Sequence, residues 1–277
     1  MKVDYSNSVY QYHIGRSGKT ICSLVQDSNN PYEASCNETV IVFGGGSGIG
    51  LEVCRRFVQI GAKTVIIGRN ENKLINAVKK IGSGSISYFV WDVSILDQCK
   101  TKFDELINRF GGFELLVNCA GVTGNGISAL DFKTADEADF DSCLNTNFKA
   151  ALYLSLIATN YFSSRSFSGH IINVVSNTAA RPAHTPYHIS KWMLYDSLSS
   201  LAVFSEEKGV YSHLIAPGSV LTDMSWKPGM SVLKLNSPNG RQAHPSEIAE
   251  LILFVHENKE YLKNGQMFIS DGGQLFK

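Results

Sequence analysis

Residues 40–50 run Val40-Ile41-Val42-Phe43-Gly44-Gly45-Gly46-Ser47-Gly48-Ile49-Gly50. Four apolar residues lead into a glycine-rich turn. Beyond it, Ile49, Val53, Phe57 and Ile60 recur at helical spacing. The order is strand, turn, helix. Glycine serves where a backbone must turn tightly or let a phosphate come close. A helix start supplies unpaired N–H groups and partial positive charge for that phosphate. Gly44, Gly46, Ser47, Gly48, Ile49 and Gly50 are therefore candidates to hold the pyrophosphate of a dinucleotide.

The same alternation continues outward. Segments 39–43, 64–67, 86–90, 114–117, 171–175, 210–215 and 266–269 carry strand-like apolar runs. Segments 48–60, 70–80, 94–110, 140–162, 185–207 and 246–255 carry helical spacing. Strands that read as continuous Val/Ile runs are covered on both faces. The pattern predicts an α/β fold: a Rossmann-like, doubly wound parallel sheet of about seven strands with helices on both faces. No composition break follows residue 38, so 39–277 is expected to be one domain.

Residues 1–38 differ, being rich in Ser, Asn and Tyr. Segments 9–14 and 19–25 favour strands and flank Gly15-Arg16-Ser17-Gly18, which predicts a hairpin; a partly ordered tail is the alternative. Gly18-Lys19-Thr20 imitates the end of a phosphate-binding P-loop. That motif needs an earlier glycine where this chain has His13, and a helix where Ile21-Cys22-Ser23-Leu24-Val25 follows.

The chain has 277 residues, 44% hydrophobic and 18% charged, which supports a large core and argues against disorder. Lys plus Arg and Asp plus Glu both number 25, so there is no basic footprint for nucleic acid. No apolar run reaches the ~18–20 residues of a membrane helix, and the start lacks a secretory pattern. The six cysteines form no CxxC pair and no zinc-like cluster, so no metal site is expected. The expectation is a reduced, cytoplasmic protein.

The second strand ends at Ile67-Gly68-Arg69. A carboxylate there would bond the 2′-hydroxyl of a dinucleotide ribose. A guanidinium suits a 2′-phosphate instead, so Arg69 points to NADP(H) over NAD(H); an ordinary surface arginine is the plainer reading. Farther on, Tyr187-His188-Ile189-Ser190-Lys191 sets Tyr and Lys four apart, on one helix face. An adjacent ammonium favours the phenolate and would lower the phenol's pKa, so that Tyr187 could exchange a proton near neutrality. Ser176 follows a strand at the carboxyl edge, where such sheets place ligands. Its hydroxyl could hold a substrate carbonyl.

Further pieces occur in order. They are Asp92-Val93, Asn118-Cys119-Ala120-Gly121, Asn147 within Thr146-Asn147-Phe148-Lys149, Pro217-Gly218 with Val220 and Thr222, and Asp271-Gly272-Gly273. Together with the glycine turn, Ser176, Tyr187 and Lys191, they resemble the short-chain dehydrogenase/reductase family, in its single-domain Tyr-x-x-x-Lys branch. The resemblance spans residues 39 to 273. It implies that Tyr187 is the general acid/base and that Lys191 lowers its pKa and bonds the nicotinamide ribose. Ser176 would orient the carbonyl, and Asn147 would hold a water relaying protons toward Lys191. It also implies cofactor contacts for Asp92, Val93, Asn118, Ala120, Gly121, Pro217, Gly218, Val220 and Thr222. Three departures stand out: Phe43 in place of the family's Thr, Cys119 in place of its second Asn, and a short spacing from Ser176 to Tyr187.

In the family, segment 224–245 forms a substrate lid. Here it holds Trp226, Pro228, Met230, Leu233, Leu235 and Pro238, with Lys227, Lys234 and Arg241. That composition suits a small or medium, partly apolar carbonyl or alcohol; the basic residues either meet an anionic tail or form a solvated face. His184 could touch substrate, and His188 is expected on the helix surface. The wide apolar stripe Ala150, Ala151, Leu152, Leu154, Leu156 and Ile157 fits either a homodimer or homotetramer, as in the family, or burial within one subunit. The leading function is NADP(H)-dependent hydride transfer between nicotinamide and a carbonyl or alcohol. The alternatives are a non-catalytic dinucleotide-binding regulator and an epimerase or dehydratase acting on a nucleotide-linked sugar.

Overall fold

The computed structural model describes residues 9–14, 20–25, 38–124, 134–165, 168–182, 185–224 and 238–276. The backbone divides into two units, Met1–Ser35 and Cys36–Lys277. In the first, β1 (Val9–Ile14) and β2 (Thr20–Val25) pair antiparallel, from Val9 opposite Val25 to Ile14 opposite Thr20. Thr20 therefore opens a strand, which a P-loop does not allow. Gly15 through Lys19 lie outside the described residues.

The second unit is a seven-stranded parallel sheet. In chain order its elements are β3 (Thr39–Phe43), α1 (Gly48–Gln59), β4 (Lys63–Gly68), α2 (Glu71–Ile81), β5 (Ile86–Val90), α3 (Cys99–Phe110) and β6 (Leu115–Asn118). They continue with α4 (Glu137–Cys143), α5 (Ala151–Ser163), β7 (His170–Val174), α6 (Pro186–Glu207), β8 (Tyr211–Pro217), α7 (Pro245–Glu257) and β9 (Met267–Ser270). The spatial order is β5-β4-β3-β6-β7-β8-β9. The chain winds outward from β3 to β5, returns to β6, and winds out the other way. Strand order reverses between β3 and β6, the place where such sheets open a ligand crevice.

The central strands are buried along almost their whole length because each face has its own helical cover. Alternation within β3 shows this directly. Val40 and Val42 join one core with Val53, Cys54 and Phe57 of α1 and Ile248 and Ile252 of α7. Ile41 and Phe43 join the other, with Phe103 and Leu106 of α3 and Leu154, Ala158 and Phe162 of α5. Each Val, Ile, Leu or Phe among them contributes about 1.5–3 kcal/mol by leaving water.

Two helices differ from expectation. The 94–110 segment begins with a 3₁₀ turn, Leu96–Gln98, before α3 starts at Cys99. The 140–162 segment starts earlier, at Glu137, and is not one continuous α-helix. A π-helical turn, Leu144–Ala150, separates α4 from α5. The early start follows from Asp136, whose side chain caps Asp139 N while the Asp139 carboxylate accepts from Asp136 N. Among the described residues, no helix is long and apolar enough to cross a membrane.

Candidate active site

The crevice is a cleft of about 320 Å³ at the carboxyl ends of β3, β4 and β5. Its floor is the glycine turn. Gly44 (φ +76°) and Gly48 (φ +54°) occupy left-handed backbone that favours glycine. Gly44 N–H donates to Ile67 O at 2.8 Å, tying the turn to β4. Gly50 is required for a different reason: a Cβ there would collide with the Gly44 carbonyl. Gly50→Ala should therefore destabilise the fold by about 1–3 kcal/mol. Gly84→Ala, whose Cβ would meet open space, is the control. Equal urea midpoints for the two variants would refute this account of the turn.

Of the residues expected to hold a dinucleotide, Gly44, Gly46, Ser47, Arg69, Asp92, Val93, Ala120 and Gly121 line the cleft. Gly48 sits beside Thr222, whose Cγ2 would lie 3.0 Å from a Cβ on that glycine. Ile49 and Val220 pack in the core instead. Asp92 Oδ1 accepts from Ser94 N (3.0 Å) and Ser94 Oγ (2.7 Å). Asn118 acts as a bridge: Oδ1 accepts from Ala120 N at 3.2 Å, and Nδ2 donates to Asn173 Oδ1 at 3.2 Å. Pro217 ends β8, and Gly218 N–H donates to Ser270 O at 3.0 Å.

Phe43 fills its position by packing. It is fully buried and meets Trp91 edge-on at 5.3 Å between ring centroids. Cys119 is equally passive, since burial pushes its thiol up to about 12. Sequence reasoning passed over Asn70, Lys73, Leu74, Trp91, Val122 and Thr146, which also line the cleft. Lys73 had a signal: it stands four residues after Arg69, in the first turn of α2, where Asn70 Oδ1 caps Lys73 N at 3.0 Å.

Of the predicted proton-transfer residues, Lys191 and Asn147 approach Gly121 in the wall of this cleft, and Tyr187 shares helix α6 with Lys191. Thr185 caps α6, with Oγ1 accepting from His188 N at 3.1 Å, and Pro186 opens the helix. That fixes Tyr187 and Lys191 in the first turns. Lys191 is 4% exposed, and its Nζ donates to Val174 O at 3.0 Å. A Cβ placed on Gly121 would stand 3.6 Å from Lys191 Nζ and 3.3 Å from Asn147 Oδ1. Both groups therefore crowd a residue that walls the cleft. Asn147, inside the π turn, hooks the main chain of Val122. Its Oδ1 accepts from Val122 N (2.7 Å), and its Nδ2 donates to Val122 O (2.8 Å) and Ser190 Oγ (3.0 Å).

Ser176 is buried just past β7, with Oγ accepting from Thr178 N at 3.2 Å. The Asp271-Gly272-Gly273 motif acquires a role that sequence did not supply. Asp271 accepts from Asn177 Nδ2 (3.2 Å), Gly273 N (2.9 Å) and Leu275 N (2.9 Å), clamping the loop that follows Ser176.

One electrostatic expectation is corrected. The Tyr187 phenol is pushed above its ordinary value by burial, with a hydrogen bond from Ser176 opposing the shift, rather than lowered by Lys191. Lys191 Nζ lies 6.0 Å from the Tyr187 ring centroid and is turned toward the Val174 carbonyl. Burial lowers Lys191 itself to about 8. His188 is half-buried rather than on the surface. In the lid segment, Arg241 forms a fork on Glu247, with Nη1 to Oε2 at 2.7 Å and Nη2 to Oε1 at 2.6 Å. His184, Trp226, Lys227, Pro228, Met230, Leu233, Lys234 and Leu235 lie outside the described residues.

Residues 38–230 match the model of the short chain dehydrogenase family. The chain belongs to that family. This dehydrogenase is 29% identical over 247 residues to a 3-oxoacyl-[acyl-carrier-protein] reductase FabG of Chlamydia muridarum, covering 86% of this chain and 97% of the relative. A short chain dehydrogenase from Bacillus anthracis superposes with TM-score 0.77 at 27% identity, covering 89% of this chain and 98% of that one. A short-chain dehydrogenase/reductase of unknown function from Caenorhabditis elegans, solved with cofactor, superposes with TM-score 0.75 at 25% identity over 87% and 96% of the two chains. As a member of this family the chain is an oxidoreductase acting between an alcohol and a carbonyl with a nicotinamide dinucleotide.

Proposed function

We propose that residues 39–277 form one NADP(H)-dependent catalytic domain that reduces a small or medium, partly apolar carbonyl or oxidises the matching alcohol, with Tyr187 as general acid/base. The observation that carries this reading is the convergence of Lys191 and Asn147 on Gly121, a wall of the glycine-floored cleft. The cleft suits the cofactor: Gly44, at positive φ, and Gly46 keep its floor clear of side chains, and Arg69 and Lys73 line it as cations. The cofactor-bearing C. elegans relative supports the same fit. When bound, the nicotinamide carries the hydride. The chain's own residues orient the substrate (Ser176), move its proton (Tyr187), hold positive charge near the ribose (Lys191), and brace the loop at Val122 (Asn147).

A regulator without chemistry would have no need to bury an ammonium and an amide beside the cleft. An epimerase or dehydratase carries a larger sugar-binding region, whereas the described residues of this unit form the sheet and its covering helices. On α5 and α6, Tyr153, Leu156, Trp192, Val203 and Phe204 remain exposed, an apolar face that a second copy would cover in a homodimer or homotetramer. A cytoplasmic location belongs to the same reading.

The test is NADPH consumption over a panel of ketones, aldehydes and 3-oxoacyl thioesters, with no turnover on any member counting against the reading. The cofactor preference is tested separately. A charge-assisted hydrogen bond is worth about 1.5–3 kcal/mol, about tenfold or more in affinity. Arg69→Ala with Lys73→Ala should weaken NADPH binding about 10–100-fold and leave NADH within about twofold, measured by fluorescence titration. An unchanged NADPH affinity would remove both residues from cofactor choice.

A further inference from the structure

At the opposite edge of the sheet, away from the cleft, three histidines are buried in contact. His170 opens β7, His213 lies in β8 and His256 near the end of α7; their exposures are 0%, 0% and 5%. Glu38 lies just before β3. Four groups from distant parts of the chain thus form one line. Glu38 Oε2 is 2.8 Å from His256 Nε2, His256 Nδ1 is 3.0 Å from His170 Nδ1, and His170 Nε2 is 2.8 Å from His213 Nδ1.

The carboxylate sets the direction of every link. An ionised carboxylate only accepts, so His256 carries its proton on Nε2. His256 Nδ1 must then accept, which places the His170 proton on Nδ1. His170 Nε2 accepts in turn, which places the His213 proton on Nδ1. Three neutral rings hold three protons, and the three hydrogen bonds use all of them. His213 Nε2 is left bare, buried and without a well-formed partner, although the Leu262 and Lys263 backbone lies near enough to favour its protonation.

We propose that Glu38 aligns His256, His170 and His213 into one directed hydrogen-bond chain, a pH-operated clasp joining the starts of β3, β7 and β8 to α7. The clasp is closed while the rings are neutral. An added proton must enter at His213 Nε2 or break a link, because every other ring nitrogen is engaged.

The surroundings resist that proton. Burial, then His256, His213 and Lys259, hold His170 well below its ordinary value. Burial pushes His213 down to about 4. Unfolded histidines protonate near 6.5, so between about 6.5 and 4 the unfolded chain binds more protons, and acid weakens the clasp. The charged neighbours do not all act in one direction. Burial raises the Glu257 carboxyl to about 7, which gives the folded state an extra proton between about 4.5 and 7. Glu250 and Glu38 face that carboxyl; Arg56, paired with Glu250 at 2.7 Å, and Lys259 are the nearby cations. The other rings packed on the chain are Phe57, Tyr211 and Phe268.

Two measurements on the full chain decide it. Nitrogen-15 NMR of the histidine rings at pH 7.5 should report Nε2–H for His256 and Nδ1–H for His170 and His213. A proton on Nε2 of His170 or His213 overturns the directed chain. Next, His213→Asn keeps a donor near Nδ1 and removes the titration while leaving Glu257 in place. Urea unfolding from pH 7.5 to 4 should show the wild-type folding constant falling, relative to the variant, about tenfold per pH unit below 6.5 and about 150-fold by pH 4. Parallel pH profiles overturn the clasp. If the variant does not fold, the wild-type His213 resonance decides: titration near 6.5 overturns the proposal, and silence down to about 4 upholds it.

Discussion

Tyr187→Phe should lower turnover about 10²–10⁴-fold, the range a positioned general acid or base contributes. The change deletes one oxygen and keeps the ring, so the first turn of α6 and its Thr185 cap survive. NADPH affinity should therefore stay within about twofold. Folding stability should change little or rise, because the phenol is a partly desolvated polar group whose pKa burial pushes up. The raised phenol also carries a pH expectation. In the acid role Tyr187 must hold its proton, and an elevated pKa keeps it protonated through neutral and mildly alkaline solution. Reduction should thus tolerate rising pH until other groups fail, whereas oxidation, which needs the phenolate, should accelerate as pH rises. Initial rates in both directions, with a substrate confirmed in the panel, measure this. A Tyr187→Phe enzyme that turns over at the parental rate would take the proton transfer away from this residue.

Much of the architecture that positions Tyr187 can be read from the chain. Strand β3 is legible to the residue because four consecutive apolar side chains must face cores on both sides. The glycine turn is legible because a collision between Gly50 and Gly44 admits no larger residue. What escapes notice depends on partners far away in sequence. The π turn has the same apolar spacing as an α-helix; its cause is tertiary, the Asn147 amide hooked on Val122, 25 residues earlier. Asn173 hides in an apolar strand, and only the fold brings it to Asn118 and to Ser155 Oγ, to which its Nδ2 donates at 3.0 Å. His213 and His256 lie 43 and 86 residues beyond His170, and no local pattern announces their contact. The pKa of Tyr187 escapes for a related reason: a four-residue spacing says that Tyr and Lys share a face, not that the ammonium turns toward a carbonyl.

That turned ammonium makes the second large prediction, in which stability and activity move in opposite directions. Lys191 is buried, and burial lowers it from 10.5 to about 8. At 1.36 kcal/mol per pKa unit, the charged form costs the folded state about 3 kcal/mol at neutral pH. Lys191→Met keeps an unbranched apolar stem and removes the charge. It also leaves the Val174 carbonyl without its donor, a loss of about 1 kcal/mol. The variant should therefore be more stable than the parent by about 2 kcal/mol at pH 7, while turnover falls about 10²–10⁴-fold. The pH dependence has a definite sign. Between about 8 and 10.5 the unfolded lysine still binds a proton that the folded one has released, so parental stability rises with pH across that window. The advantage of the variant should be full below about pH 8 and fade toward 10.5. Urea unfolding of both proteins at pH 7 and pH 10, beside NADPH turnover, resolves the two effects. A less stable variant at pH 7 would mean that its neighbours already satisfy the ammonium. Gain of stability with loss of turnover would identify Lys191 as a charge kept in the interior at a structural cost, which packing alone gives no reason to retain.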